Sequence, residues 1–290
     1  MVLDDKPGLP GGREPLAGRM RRLRRIRRIP MRFVLPNLVT LIALCLGMSS
    51  IRFAAEGRFE TAVLSILAAA VLDGLDGRIA RALEGTSRFG AELDSLADFI
   101  DFGVAPAVLL YFWTLHDFKS IGWVAALIFA IACALRLARF NVMIDDPNKP
   151  VWMSHFFVGM PAPAGAIVVL LPMYLHLSFV QMPNDSALAP FATAYVILIA
   201  FLMVSRIPHF SGKQIGRVPR EWFIPVLFGT AVFLLMLWQF PMEVLIGLVV
   251  IYLGMIPFSI RRHTNYQKAD QAAAEAAEQG AVAPSGTPQA

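Results

Sequence analysis

Four aspartates fall within the stretch DGLDGRIARALEGTSRFGAELDSLAD (73–98): Asp73, Asp76, Asp94 and Asp98. On a helix Asp73 and Asp76 stand at i and i+3, and Asp94 and Asp98 at i and i+4, so each pair shares one face, about a turn apart. Gly85 and Gly90 flank a turn between the pairs, which lets two helices fold back and turn all four carboxylates inward. Two carboxylates about 4 Å apart repel by roughly 4 kcal/mol at an effective dielectric near 20. Four of them in a partly dry site either take up protons or bind cations. All-carboxylate ligation suits hard ions such as Mg²⁺, Mn²⁺ or Ca²⁺. Two such ions would balance the four charges and create a site for phosphoryl chemistry. Taken singly, each aspartate reads as a solvated helix end with Arg78, Arg81 or Arg88 as a surface partner. That reading does not account for four at this spacing, with Gly77 and Arg81 between them.

The elements that must hold these acids are apolar. Of 290 residues 57% are hydrophobic and only 16% charged, with a mean hydropathy of +0.59. Such a composition points to a single membrane domain whose surface faces lipid. A spanning helix needs about 20 mostly apolar residues. Eight stretches qualify, near 34–53, 59–80, 98–115, 121–140, 160–180, 189–206, 223–240 and 242–260. The expected fold is therefore an all-α, polytopic helical bundle. The four aspartates lie at the ends of the second and third stretches, not at mid-membrane. Of the 26 lysines and arginines, only Arg52, Arg58 and Lys119 fall on the side opposite the termini. The positive-inside rule then places both termini in the cytoplasm.

The flanks organise the rest. The arm 1–32, with RMRRLRRIRRIPMR, reads as a cytoplasmic anchor that touches anionic headgroups, neither a cleaved signal nor a nucleic-acid arm. The net charge of +5 sits at the ends and in certain loops, so it speaks of topology and anionic lipid. The tail 263–290 is rich in Ala, Gln, Pro and Gly, has no apolar face and reads as disordered. Cys45 and Cys133 lie inside apolar runs and read as small core residues. The five histidines are scattered singly. No internal repeat is visible, which weighs against a transporter fold.

The pattern D-x2-D-G-x2-A-R-x8-G-x3-D-x3-D is matched without a gap by Asp73, Asp76, Gly77, Ala80, Arg81, Gly90, Asp94 and Asp98. It resembles the signature of the CDP-alcohol phosphotransferase family. Members are polytopic, often homodimeric, and use two divalent cations, Mg²⁺ or Mn²⁺. They transfer a substituted phosphoryl group from a CDP-linked donor to an alcohol and release CMP. The resemblance implies that Asp73, Asp76 and Asp94 are metal ligands. It makes Asp98 the residue that completes the metal site and acts as general base. Gly77 and Gly90 would let the nucleotide approach, and Arg81 would face the donor's phosphates. In LPNLVTLIALCLG (35–47), Asn37 and Thr40 resemble the family's first-helix nucleotide contacts; a plain helix start capped by Asn37 is the competing reading.

Three further stretches, ALRLARFNV (134–142), FFVGMPAPAGA (156–166) and MVSRIPHFSGK (203–213), resemble segments of the bacterial membrane branch whose donor is CDP-diacylglycerol and whose acceptor is L-serine. The likeness covers most of 33–215. Asp101 stands where a serine is common and Met160 where leucine is. Arg136 and Arg139, at i and i+3 near the cytoplasmic end of a span, could hold a phosphate or an amino-acid carboxylate. A plain positive-inside pair is the alternative. Asn141, Ser205 and Arg206 are weaker candidates for the acceptor site. The expectation is an enzyme of the bacterial inner membrane that makes phosphatidylserine on the cytoplasmic side. Rivals are the same chemistry on another alcohol, as in phosphatidylglycerophosphate or phosphatidylcholine synthesis, and a cation-coupled transporter, whose acids should sit mid-membrane.

Overall fold

A computed structural model describes residues 31–144, 156–181, 187–205, 208–210 and 220–259. Helices dominate. In chain order they are α1 (Met31–Ala55), α2 (Phe59–Ala82), α3 (Arg88–Asp98), α4 (Ala105–Trp113), α5 (Lys119–Ile144), α6 (Ala162–Val169), α7 (Leu171–Leu177), α8 (Leu188–Val204) and α9 (Phe223–Gln239). A last apolar helix, α10, spans Pro241–Ser259. Two short strands, β1 (Phe156–Val158) and β2 (Pro208–Phe210), pair antiparallel with Phe157 opposite His209. Periodicity did not announce this pair, because three-residue strands are too short to show alternation. It joins two of the three stretches that resemble the serine-using branch. The arm before Met31 and the tail after Ser259 lie outside the described residues, as does Arg206.

Four helical stretches are long and apolar enough to cross a membrane: Met31–Ala55, Arg88–Trp113, Leu115–Met143 and Pro241–Ser259. Two shorter apolar helices, α8 and α9, accompany them. The chain is a membrane protein built as a helical bundle. Its core is laid down by small residues that let helices approach, such as Ala62, Ala69, Ala105 and Ala166, together with Phe102, Leu109, Phe129 and Met203. Large apolar side chains cover the outside: Ile131, Leu135, Phe191, Phe201 and Phe228 are all exposed. Water would penalise so much exposed apolar surface, whereas lipid does not. No residue of α9 is buried, so its whole circumference is available to lipid.

Two boundaries depart from the expected spans. The third was expected to begin at Asp98, but the helix begins at Arg88. Ser87 caps it there, its Oγ accepting the Gly90 N–H at 3.0 Å, which satisfies one of the donors a helix start leaves open. Asp94 and Asp98 share this helix, as their spacing implies, and Gly90 lies in its first turn, just past the turn it flanks. Beyond Asp98 the helix widens to a π-turn over Phe99–Val104 before α4 continues it. The second departure is the stretch 160–180, which is broken into α6 and α7. Pro172 has no N–H to continue the ladder, and the chain restarts with this proline in the first turn of α7.

Candidate active site

The two aspartate pairs are brought together by the way α2 ends. Glu84 adopts a left-handed conformation, with φ 51°. The Gly85 N–H reaches back to Ala80 O at 2.9 Å and the Glu84 N–H to Arg81 O at 3.3 Å. This is the paired bonding of a Schellman turn. It reverses the chain within residues 83–87, and the Ser87 cap then starts α3. Gly85 packs directly on the α1 backbone: a Cβ there would overlap the Arg32 carbonyl oxygen. That carbonyl has no helical N–H to accept, because the residue four positions on is Pro36. The glycine and the proline thus seat the turn on the start of α1.

Within this frame Asp73, Asp76 and Asp94 each offer a carboxylate oxygen, all within 4.8 Å of one another. Asp98 and Asp73 lie within hydrogen-bonding reach of each other. The buried Asp98 Oδ1 is left with no hydrogen-bond partner among the described residues. An orphaned buried carboxylate oxygen beside three converging carboxylates is costly without a positive charge. Arg136 of α5 supplies some of it, interacting electrostatically with Asp98 and Asp73. One guanidinium cannot balance four carboxylates, and the hard oxygen donor set fits divalent cations. The residues present therefore match what such ions need.

A cavity of about 170 Å³ opens beside the acids. Pro36, Asn37 and Thr40 of α1 form one wall, Asp76 and Gly77 of α2 another, and Gly90 and Asp94 of α3 a third. A Cβ at Gly90 would come within 2.9 Å of Asn37 Oδ1, so a side chain there would push the Asn37 amide aside. At Gly77 a Cβ would meet no protein atom within 4 Å. What glycine leaves open at 77 is room in the cavity, not room for packing.

The residues singled out in the sequence do not all converge on one place. Asp73, Asp76, Asp94 and Asp98 form the acidic centre, and Asn37, Thr40, Gly77 and Gly90 line the cavity beside it. Arg81 is exposed and its Nε donates to Gly77 O at 3.0 Å. It is absent from the cavity wall among the described residues. The three α5 candidates diverge. Arg136 is half-buried, stacks on the Phe140 ring at 5.3 Å and interacts electrostatically with Asp98. Arg139 Nη1 donates instead to Val204 O at 2.6 Å, closing the end of α8. Asn141 Nδ2 donates to Ser95 Oγ at 3.0 Å. Ser205 Oγ donates to Leu202 O in its own turn, at 2.8 Å.

Two residues were missed or undervalued. Tyr252 of α10 interacts electrostatically with Arg136, although nothing in the sequence links the last span to the acids. Asp101, first noted only as a departure from the family pattern, is buried in the π-turn with Oδ1 unpartnered among the described residues. It occupies the space that a side chain at Gly47 would need.

A sequence profile of CDP-alcohol phosphatidyltransferases matches residues 33–205, which contain the whole acidic centre and its cavity. The chain belongs to this family. A Mycobacterium leprae protein is 41% identical over 227 residues, covering 78% of this chain and 74% of its own length. A Mycobacterium tuberculosis protein is 38% identical over 228 residues, covering 79% and 78%. One from Helicobacter pylori is 35% identical over 223 residues, covering 76% and 89%. Each of the three carries the name CDP-diacylglycerol–serine O-phosphatidyltransferase. The family match ends at residue 205, so α9 and α10, with Tyr252, lie beyond it.

Proposed function

We propose that this CDP-alcohol phosphatidyltransferase moves the phosphatidyl group of CDP-diacylglycerol to the hydroxyl of L-serine, giving phosphatidylserine and CMP. The observation that carries the reading is the convergence of Asp73, Asp76 and Asp94 within 4.8 Å, with Asp98 adjoining and a cavity alongside. Relatives bearing the serine-transferase name at 35% to 41% identity support the choice of donor and acceptor.

Asp73, Asp76, Asp94 and Asp98 would hold two divalent cations, Mg²⁺ or Mn²⁺. Such ions neutralise the charge of a diphosphate and make CMP a better leaving group. The chain's own groups do the rest. The cavity between α1, α2 and α3 takes the nucleotide, with Gly77 leaving room for it and Asn37 on its wall. Arg81 lies outside that wall, exposed, where it can meet donor phosphates at the interface. Arg136 pairs with the serine carboxylate, which needs a cationic partner when it leaves water. Asp98 takes the proton from the serine hydroxyl. The freed oxygen forms a bond to the lipid-linked phosphorus, the bond from that phosphorus to the CMP oxygen breaks, and CMP leaves with the electron pair. The acids lie at the ends of their membrane segments because the reacting diphosphate lies at the interface while the acyl chains remain in the bilayer.

Eight spans with both termini cytoplasmic, in a bacterial inner membrane, fit the charge distribution and put the acids on the cytoplasmic side. The membrane domain would then run over 33–262 between a basic arm and a polar tail, and family likeness is the ground for a homodimer. The deciding experiment is CMP release from CDP-diacylglycerol by the purified chain, with serine, glycerol 3-phosphate, choline and inositol offered in turn. Release that depends on serine is the expected result. Release driven equally or better by another alcohol would overturn the acceptor and leave the reaction class standing.

A further inference from the structure

Thr40 sits on α1, directly across from Asp76 on α2. Both are almost wholly enclosed, at 5% and 4% exposure. Thr40 Oγ1 lies 2.7 Å from Asp76 Oδ2 and 3.2 Å from Pro36 O. A hydroxyl has one proton to give. The shorter contact, to the ionisable acceptor, is the stronger one, so the proton goes to Asp76. A threonine on a helix has few χ1 options, so the donor itself is stiff. Without it Asp76 could move among its staggered rotamers. With Oδ2 tied to α1, the carboxylate keeps one orientation toward Asp73 and Asp94. The same stretch of α1 also carries Asn37 against Gly90 of α3, so α1 touches both helices that bear the acids.

We propose that Thr40 is a positioning residue for the metal site: its hydroxyl sets the rotamer of Asp76 so that one carboxylate oxygen is held ready for a cation. This differs from a direct contact with nucleotide, the role the family resemblance implied for it. The inference rests on the two-cation reading given above. Groups that orient a ligand from outside the coordination sphere typically change metal affinity by about 10- to 100-fold when removed. The hydroxyl of Thr40 stands in that relation to Asp76.

The test compares the full-length protein with Thr40→Val, which keeps the shape and lacks the donor, Thr40→Ala, and Thr40→Ser, which keeps the donor. Mn²⁺ binding is read directly from the electron paramagnetic resonance of free Mn²⁺, with no lipid substrate present. KM values for CDP-diacylglycerol and serine are then measured at saturating Mn²⁺. Val and Ala should weaken Mn²⁺ binding by about 10- to 100-fold, Ser should restore it close to wild type, and both KM values should stay put once Mn²⁺ saturates. Unchanged Mn²⁺ binding in Val and Ala would overturn the proposal. So would a defect confined to the KM for CDP-diacylglycerol, which would make Thr40 a nucleotide contact. If only the Ser variant yields folded protein, Thr40 is a pin between helices and the proposal falls. A wild-type protein that binds no Mn²⁺ would remove the metal reading itself, a result distinct from each of these.

Discussion

The proposed donor side and the proposed acceptor side of the acidic centre are built in opposite ways. On the proposed donor side, residues between Pro36 and Asp98 form cavity and acids from three consecutive helices joined by short turns. On the acceptor side, three polar residues of one helix end, Arg136, Arg139 and Asn141, reach to three different places. Arg136 interacts electrostatically with Asp98 and Tyr252, Arg139 closes the end of α8, and Asn141 meets α3. A compact local unit can be read from spacing. A helix end that serves several distant elements cannot, because what each side chain meets depends on packing among segments far apart in the chain.

The largest effect should come from the donor side as a whole. Removing divalent cations with EDTA is expected to abolish CMP release, and Mn²⁺ or Mg²⁺ should restore it. Full turnover in protein verified as metal-free would dissolve the acidic centre as a metal site. Next in size is Asp98→Asn. It keeps the shape and loses the base, so kcat should drop by about 10²- to 10⁴-fold, the usual contribution of a positioned base. Near-normal turnover would shift the base elsewhere and leave Asp98 as a buried structural acid.

The acceptor side should separate its two arginines. Arg136→Leu removes the cation that faces Asp98, so the apparent KM for serine should rise. A charged hydrogen bond is worth about 1.5–3 kcal/mol, which corresponds to roughly 10- to 100-fold. The KM for CDP-diacylglycerol should change far less. Arg139→Leu should instead leave both KM values alone and lower thermal stability, by about 1–2 kcal/mol, since it frees the carbonyl of Val204. If Arg139→Leu alone raises the serine KM, the assignment of the two arginines is reversed.

These contrasts track what could be read in advance. The spacing of Asp73, Asp76, Asp94 and Asp98 states a helical face directly, and the turn between the pairs needs only residues 83–87 to close. The glycine at 90 reads from sequence as a flank of that turn, and it stands just past it in the first turn of α3. Its nearness to Asn37 depends on α1 and does not show in local spacing. The family resemblance implies a nucleotide contact for Thr40, yet its hydroxyl meets Asp76, a partner 36 residues away. The pairing of β1 with β2 and the electrostatic interaction of Tyr252 with Arg136 span still larger separations, and no local pattern encodes either. The expected third span starts at Asp98, ten residues after α3 begins, because apolarity marks where a helix enters lipid, whereas capping by Ser87 marks where the helix begins.

The smallest effect concerns Asn141, and it tests whether the acceptor side contributes to the donor side at all. Asn141 Nδ2 donates to Ser95 Oγ at 3.0 Å, and Ser95 Oγ lies 3.1 Å from Ala91 O, one turn back in its own helix. The serine can therefore accept from Asn141 and donate to Ala91, a chain that fastens α5 to the helix between Asp94 and Asp98. One neutral hydrogen bond of this kind contributes about 1 kcal/mol. Asn141→Ala and Ser95→Ala should each lower stability by about that much and reduce kcat only a few-fold, with the serine KM unchanged. Because the two residues share one bond, the double variant should be less damaged than the sum of the singles, with a coupling of at least about 0.5 kcal/mol. Strict additivity would mean the bond does not hold the helix. A rise in serine KM for Asn141→Ala that Ser95→Ala does not reproduce would move Asn141 from fastening α3 to contacting the acceptor, and the two sides would then be separate after all.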